Sequence, residues 1–159
     1  MYEKIMACID GSDTADKVID ESVRLSLLAG ARLHVVHVID LPYLLTTVGF
    51  YDLVMLTHAL RRQGTILLDR AQQRANAAHV PCTTELAETE RIAETIAARL
   101  LHCADACGAD LLTIGTHGHR GIDALLPGSV ATRLCRIATC PVLLVPSATT
   151  DWTSGTKLL

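Results

Sequence analysis

The chain has 159 residues, of which 50% are hydrophobic and 19% are charged, and its formal net charge at pH 7 is −3 with the seven histidines counted as neutral. This length and composition predict a single globular domain that buries a sizeable core. The slightly acidic balance and the lack of a lysine- or arginine-rich run argue against a nucleic-acid partner, which requires a clustered basic surface.

The first part of the chain predicts two strands separated by one helix. Residues 3–9 form a short apolar run typical of a buried strand, and residues 10–13 form a turn that offers two candidate helix N-caps. Small and apolar side chains then recur at helical spacing over residues 15–29, and Gly30 ends this helix. Residues 32–39 are β-branched and apolar, which predicts the second strand.

A loop and a long helix are predicted for the middle of the chain. The loop, residues 40–51, carries three of the five aromatic side chains, and three interpretations stay open: a partner site, a lid over a ligand, or packing against its own domain. Gly64 within the following helix should cost about 1 kcal/mol relative to alanine. A third strand is expected over residues 82–87. The predicted buried face of the helix comprises Leu53, Leu56, Leu60, Leu67, Ala71, Ala75 and Ala78.

The last part of the chain predicts two more helices and two more strands. A helix over residues 90–107, ended by Gly108, precedes a strand over residues 110–114. A glycine-rich loop then leads into a fourth helix, and the apolar residues 142–145 between two prolines predict the fifth strand. We expect the polar tail, residues 147–159, to be poorly ordered.

The alternation of five predicted strands with four predicted helices indicates an α/β fold. Such alternation produces βαβ units, which build a five-stranded parallel sheet, doubly wound, with helices on both faces. We expect this single domain to span residues 1–146.

The apolar stretches predict neither a secretion signal nor a membrane anchor. The chain starts with only a short apolar run, whereas a signal peptide needs a long one. The longest apolar stretch, residues 41–56, is interrupted by proline, threonine, glycine and aspartate, so it does not suit a membrane span. We therefore expect a soluble, cytoplasmic protein without a membrane partner.

The cysteines raise the question of a metal site. None of the six forms a Cys-x-x-Cys pair, but Cys103 and Cys107 are four residues apart beside His102. Both continue an apolar helical stripe, so we expect core packing rather than metal ligation. The stripe comprises Ile92, Ile96, Leu100, Cys103 and Cys107.

The other histidines outside the glycine-rich loop are also interpreted as structural. His34 and His37 lie on opposite faces of the second predicted strand, where we expect them to pack against the core or the helices. His58, His79 and His102 fall on predicted helices, and we expect them at the surface.

The loop over residues 115–129, GTHGHRGIDALLPGS, has the features of an anion-binding loop. Ligands of open α/β sheets bind beyond the carboxyl ends of the strands, where the strand order reverses. This loop follows the fourth predicted strand at that edge, and Asp10 follows the first. If the chain crosses over the sheet in opposite directions after these strands, the two strands become neighbours, and the loop and Asp10 line one crevice. Gly128 and Ser129 precede a helix N-terminus, which favours phosphate. Plain chain reversal, with Ser129 as an ordinary N-cap, is the alternative.

Two well-known phosphate-binding motifs do not match this loop. A P-loop requires a lysine after its last glycine, and no lysine follows Gly128. The dinucleotide motif Gly-x-Gly-x-x-Gly follows the first strand, whereas the spacing here is Gly115-x-x-Gly118-x-x-Gly121, late in the chain. The loop therefore belongs to neither class.

A different signature does match. Gly115-x-x-Gly118, nine residues, and then Gly128-Ser129 resemble the nucleotide-binding signature of the universal stress protein family, in its ATP-binding branch. The resemblance covers residues 1–146 and implies a Rossmann-like fold of the adenine nucleotide alpha hydrolase type. The flanking matches are Asp10 and Ser12 after the first strand, the sequence HVID that ends the second strand, and the sequence CPVLLV over residues 140–145.

The resemblance implies a role for each matching residue of the nucleotide site. Mg²⁺ would be held through the phosphates of ATP. ATP-binding members often carry proline where Cys8 stands. The adenine and ribose would lie near Cys8, Asp10, Val38, Ile114 and Gly115. The phosphates would lie near His117, Gly118, Arg120, Gly128, Ser129 and Val130.

The resemblance further implies an ATP-binding, nucleotide-dependent stress-response module that acts as a homodimer. ATP occupancy would set a conformation or dimer state that a regulatory protein partner senses. A slow ATPase or a nucleotidyl or phosphoryl transferase is the alternative. Because the loop has no P-loop lysine and no carboxylate except Asp123, we expect slow or no turnover and assign no catalytic residue. A third alternative is a dimeric scaffold that binds no nucleotide. Such a scaffold would not need the signature glycines, which are present here.

The last strand predicts the dimer interface. Its residues Val142, Leu143, Leu144 and Val145 are wholly apolar, and the flanking prolines suit a sheet edge. Natural proteins rarely leave such an edge uncovered, so we expect it to pair with a second copy of the chain. A tail that folds back with Trp152 to cover the edge is the alternative.

Overall fold

The computed structural model describes residues 1–41, 50–91, 93–116 and 128–146, and within these ranges strands and helices alternate. The strand bounds differ by at most one residue at either end from the predicted ones. The strands are β1 Lys4–Ile9, β2 Arg32–Ile39, β3 Cys82–Glu88, β4 Leu111–Gly115 and β5 Val142–Val145. The helices are α1 Ala15–Ala29, α2 Phe50–Ala77, α3 Ile96–Cys107 and α4 Ser129–Ile137.

The five strands form one parallel sheet in the order β3-β2-β1-β4-β5. From β1 the chain adds β2 and then β3 on one side, and it returns to add β4 and β5 on the other side. This confirms the doubly wound, five-stranded parallel sheet, and it places β1 beside β4, as the crevice hypothesis requires. Among the described residues no helix is long and apolar enough to cross a bilayer.

Each face of the sheet carries its own hydrophobic core. On one face Ile5 and Val35 pack with side chains of α1 and α2, and on the other face Met6 and Leu112 pack with side chains of α3 and α4. Successive strand residues point to opposite faces, so a strand covered on both faces is apolar at nearly every position. This explains the continuous apolar run of β1.

Helix α2 begins at Phe50, inside the predicted loop over residues 40–51. Gly49 is the last helix breaker before it, since neither glycine nor proline occurs between residues 50 and 63. The rest of that loop, residues 42–49, lies outside the described residues. Of the predicted face, Ala71 and Ala75 are fully buried. Leu68, which the prediction missed, is also buried.

Helix α3 begins at Ile96, six residues later than predicted. Thr95 is its N-cap: the backbone there is extended, with φ −95° and ψ 154°, and the hydroxyl oxygen accepts a hydrogen bond from the Ala98 amide at 3.3 Å. Just before it, the Glu94 carboxylate accepts a hydrogen bond from the Glu90 amide at 2.6 Å, which holds this segment in a turn. The predicted start therefore missed the capping threonine.

The cysteine stripe of α3 packs in the core, as predicted. Leu100 and Cys103 are buried between α3 and the sheet, and Ile96 and Cys107 pack against the same core. Burial raises the pKa of the Cys103 thiol to about 12. All six cysteines are free thiols. Ile92 lies outside the described residues.

Candidate functional site

The candidate site lies at the carboxyl ends of β1 and β4, where the strand order reverses. Cys8 of β1 is aligned with Ile114 of β4 and with Val36 of β2. Asp10 and Thr116 are the first residues beyond the two neighbouring strands. A crevice at such a position is where open α/β sheets bind their ligands.

The Asp10 turn lines one side of this crevice. One carboxylate oxygen, Oδ1, accepts hydrogen bonds from the Ser12 amide at 3.0 Å and from the Ser12 hydroxyl. None of residues 10–13 caps α1, because the N-cap position is Thr14. The turn therefore orients an acceptor-only carboxylate instead of starting the helix.

The side chains beneath the candidate site, on the sheet face covered by α3 and α4, are apolar and would form the floor of the crevice. Cys8, Val38 and Ile114 are at most 9% exposed and belong to the same core. Burial raises the pKa of the Cys8 thiol far above its ordinary value, so this side chain is neutral. The floor thus offers van der Waals contact and no charge.

The glycine loop is closed at its base by two backbone hydrogen bonds. The Thr116 amide donates to the Val145 carbonyl at 2.9 Å, and the Gly128 amide donates to the Thr116 carbonyl at 2.6 Å. The two ends of the loop therefore lie side by side next to the end of β5. The sequence contained no sign of this closure, because its partners come from three separate segments.

Helix α4 directs its N-terminus to the same edge of the sheet. The Thr132 amide donates to the Gly128 carbonyl at 2.9 Å, which is the first hydrogen bond of the helix. The amides of Ser129, Val130 and Ala131 precede that bond and have no partner within the helix. Ser129 is an exposed first residue of the helix and not its N-cap, which is Gly128. The N-cap interpretation of Ser129 is therefore wrong.

Comparison with known proteins identifies the family of the chain. The model of the universal stress protein family matches residues 1–146. The chain belongs to this family. The match confirms the family that the glycine spacing and the flanking segments predicted, whereas membership of the ATP-binding branch stays a prediction.

Individual members of the family match over nearly their whole length. Universal stress protein A homolog 1 of Coxiella burnetii is 30% identical, over 91% of this chain and 96% of that protein. A crystal structure of a universal stress protein family member from Burkholderia pseudomallei is 37% identical, covers 91% of this chain and 96% of its own, and has a TM-score of 0.76. The structure of the universal stress protein from Archaeoglobus fulgidus in complex with dAMP is 21% identical, covers 90% and 97%, and has a TM-score of 0.60, which shows a common fold.

The structure brings together most of the site residues predicted for this universal stress protein. Cys8, Asp10 and Val38 lie at the ends of β1 and β2, and Ile114 and Gly115 end β4. Gly128, Ser129 and Val130 form the start of α4. His117, Gly118 and Arg120 lie outside the described residues, as does Asp123, so their positions stay predictions.

Two residues at this edge were not predicted as part of the site. Ser12 holds the Asp10 carboxylate, and its spacing of two residues from an aspartate is the sequence sign of such a turn. His37 was expected only to pack, but its ring nitrogen Nδ1 lies 3.0 Å from the carbonyl oxygen of Ile9. Nothing local in the sequence announces that contact, because it crosses from β2 to β1.

Among the other histidines that the structure describes, His34 bonds to side chains of β3 and the remaining three lie at the surface, as expected for those three. His34 packs on the sheet face next to β3, where its ring nitrogens lie 2.8 Å from the Thr83 hydroxyl and 3.0 Å from a Glu85 carboxylate oxygen. Histidines 58, 79 and 102 are exposed on or next to helices.

Proposed function

We propose that this universal stress protein binds ATP with Mg²⁺ in the crevice between β1 and β4 and acts as a nucleotide-dependent regulatory module. The observation that carries the proposal is the N-terminus of α4, which presents the amides of Ser129, Val130 and Ala131 at the edge of the sheet where Asp10 also lies. Amides at a helix N-terminus favour a phosphate group. The complex of the Archaeoglobus fulgidus protein with dAMP supports an adenine nucleotide as the ligand.

The adenine and ribose would occupy the side of the crevice lined by β1 and β2. The apolar floor made by Cys8 and Val38 suits the flat face of a purine, since it provides contact without charge. The Asp10 carboxylate accepts hydrogen bonds only, so it suits the amino group of adenine or a ribose hydroxyl. Ile114 and Gly115 would lie next to the ribose.

The phosphates would occupy the side of the crevice lined by α4. The Gly128 amide already donates to Thr116, so the contribution of Gly128 would be space for a close phosphate rather than a hydrogen bond. Ser129, with its exposed hydroxyl, and Val130 would donate their amides, and His117 and Arg120 would add donors from the loop. Phosphate oxygens would hold the Mg²⁺, and in the part of the chain that the structure describes no group of three or more histidine, cysteine or acidic side chains is arranged for a metal.

The test is nucleotide binding by variants of the signature glycines. Gly118→Val and Gly128→Val should each abolish Mg-ATP binding in calorimetry, because a valine side chain fills the space that a phosphate needs. Gly121→Val is the matched control in the same loop, since Gly121 is not part of the signature, and it should retain binding. Mass spectrometry of nucleotide released from the denatured wild-type protein should identify ATP. Wild-type affinity in both signature variants would refute the proposal.

We further propose that ATP hydrolysis is slow and is not the function. Asp10 is the one carboxylate that the resemblance assigns to the site, and it is engaged by Ser12 on the adenine side. Phosphoryl transfer needs a positioned base or water-holder near the γ-phosphate. Steady-state turnover should therefore stay below roughly 1 s⁻¹. Faster turnover that His117→Ala removes would establish the alternative, an ATPase or transferase.

A further inference from the structure

His37 connects three elements beneath the candidate crevice. Its Nδ1 atom lies 3.0 Å from the carbonyl oxygen of Ile9, the last residue of β1. On the other side the ring packs against α2 at Gly64, where an added Cβ atom would come within 2.8 Å of the His37 Cδ2 atom. The ring therefore fills the space between the end of β1 and the middle of α2.

The direction of the His37 hydrogen bond follows from its partner. A carbonyl oxygen only accepts, so Nδ1 must carry a proton and donate it. A flip of the ring about its Cβ–Cγ bond would place the carbon Cδ2 where Nδ1 lies and would lose the hydrogen bond, so the bond to Ile9 selects the observed orientation. The tautomer and the orientation of His37 are thus determined by its hydrogen-bond partner.

The Ile9 carbonyl belongs to the same planar peptide unit as the Asp10 amide. Fixing that carbonyl fixes the plane from which the Asp10 side chain departs. The carboxylate is fixed a second time by Ser12, which donates its amide to Oδ1 at 3.0 Å. Asp10 is therefore held from the backbone side by His37 and from the side-chain side by Ser12.

We propose that His37 is a positioning residue of the nucleotide site, which acts through the Ile9 carbonyl to hold Asp10 and through Gly64 to tie the site to helix α2. The inference rests on the proposed function for the identity of the ligand. The contacts of His37 with Ile9 and Gly64 involve no ligand. His37 acts from the sheet face opposite to Val38, because neighbouring strand residues point to opposite faces. His37 supports Asp10, which would contact the nucleotide, but His37 itself would not contact the nucleotide.

Two substitutions separate the hydrogen bond from the volume of the ring. His37→Phe keeps a ring of similar size but removes the donor, whereas His37→Asn offers an amide nitrogen near the position of Nδ1. His37→Leu replaces His37→Phe if that variant does not fold, as judged by thermal unfolding. His34→Phe is the matched control on the same strand and the opposite face, where the histidine bonds to Thr83 and Glu85.

Two measurements are made on each variant: the Kd of Mg-ATP by calorimetry, and the hydrogen exchange rate of the Ser12 amide in the ligand-free protein. We expect His37→Phe to raise the Kd about tenfold and to speed Ser12 exchange by a similar factor, which corresponds to one lost hydrogen bond. His37→Asn should stay within about threefold of wild type in both measurements. His34→Phe should change neither.

The outcomes are distinct. Wild-type Ser12 exchange and wild-type Kd in His37→Phe would overturn the inference. Equal losses in His37→Phe and His37→Asn would also overturn it, because the donor that His37→Asn retains would then make no difference. If the wild-type protein binds no adenine nucleotide, the proposed function fails. The exchange rate of Ser12 still decides the positioning role in that case, because it is measured without a ligand.

Discussion

At the scale of single residues, Gly64 determines how closely α2 approaches the sheet. From helix propensity alone this glycine should cost about 1 kcal/mol relative to alanine. In the structure Gly64 is buried, and a Cβ atom there would lie 2.6 Å from the Leu86 Cδ1 atom and 2.8 Å from the His37 ring. Such distances require neighbouring atoms to move. Because the His37 ring is held by its hydrogen bond to the Ile9 carbonyl, it cannot shift at little cost, and we expect the close contact to outweigh the propensity.

We predict that Gly64→Ala destabilises the protein even though alanine is the better helix former. Overpacking of this kind typically costs about 1–3 kcal/mol, which exceeds the gain of about 1 kcal/mol from propensity. Thr65→Ala is the matched control at the next position, where the side chain is exposed and its hydroxyl bonds to the Arg61 carbonyl of the same helix. Urea denaturation measures both free energies of unfolding. A Gly64→Ala variant as stable as Thr65→Ala would contradict the prediction.

At the scale of elements, ion pairs attach α2 to its neighbours at two places. Arg74 contacts Asp16 at 3.1 Å and Asp20 at 2.6 Å, and both acidic residues belong to α1. Nearer the start of the helix, Arg61 donates Nε and Nη2 to the two carboxylate oxygens of Glu88 at the end of β3, at 2.6 and 2.9 Å. The second pair lies at the carboxyl edge of the sheet, as the candidate crevice does, but on the sheet face that α2 covers.

The Arg61–Glu88 pair should make a stability contribution that disappears in acid. The hydrogen bonds from Arg61 hold the pKa of Glu88 below its ordinary value. Because the folded-state pKa is lowered, the contribution is present above the unfolded-state value of about 4.3 and is lost as the pH falls through the folded-state pKa. The pair is exposed to solvent, so the effect should be small and should shrink in high salt.

A double-mutant cycle measures this coupling. Arg61→Met and Glu88→Gln, alone and together, should show a favourable coupling free energy at pH 7 that vanishes at a pH below the glutamate range. Arg62→Met in place of Arg61→Met is the control, because Arg62 is an exposed arginine one position along the same helix. A coupling that is unchanged in acid would show that the contact does not depend on the charge of Glu88.

At the scale of the whole molecule, the two edges of the sheet differ in character. The β3 edge carries polar and exposed side chains at Thr83 and Thr84. The β5 edge is wholly apolar: Val142 and Leu144 pack towards one core, and Leu143 and Val145 towards the other. An apolar edge strand presents unpaired backbone groups to a second chain. We therefore propose β5 as the dimer interface, paired antiparallel across a two-fold axis.

We predict that Val142→Lys combined with Leu144→Lys yields monomers in light scattering. Both side chains are only partly buried in the single chain, so the lysine ammonium groups can reach solvent in a monomer but not between two paired strands. Thr84→Lys at the opposite edge is the control and should leave the dimer intact. A wild-type protein that is monomeric at tens of micromolar would contradict the prediction. A chain truncated after Pro146 should dimerise as the full-length chain does. If the tail instead covers β5, only the truncated chain should dimerise.

Much of the fold, and the family, followed from local sequence patterns. The apolar strands, Gly30 and Gly108 as helix ends, and the glycine spacing up to Ser129 are all read within short windows, and the family match agrees with them. The start of α3 was misplaced because Thr95 competes with Glu90 as a starting residue. The Glu90 amide instead donates to the Glu94 carboxylate across a turn, ahead of the helix. The N-cap of α1 is Thr14 for a related reason: Asp10 and Ser12 form a hydrogen bond with each other ahead of the helix.

The sequence by itself determined the order of strands and helices, the double-sided core and the family, because periodicity, helix-ending glycines and a spaced motif are properties of neighbouring residues. Only the tertiary structure decided that Gly64 packs closely on His37 and Leu86, that the Gly128 amide closes the loop on Thr116, and that His37 reaches the Ile9 carbonyl. Each of these contacts joins residues that are distant along the chain. Their geometry depends on how the strands align and how closely a helix lies on the sheet, and neither quantity is encoded in any one segment of the chain.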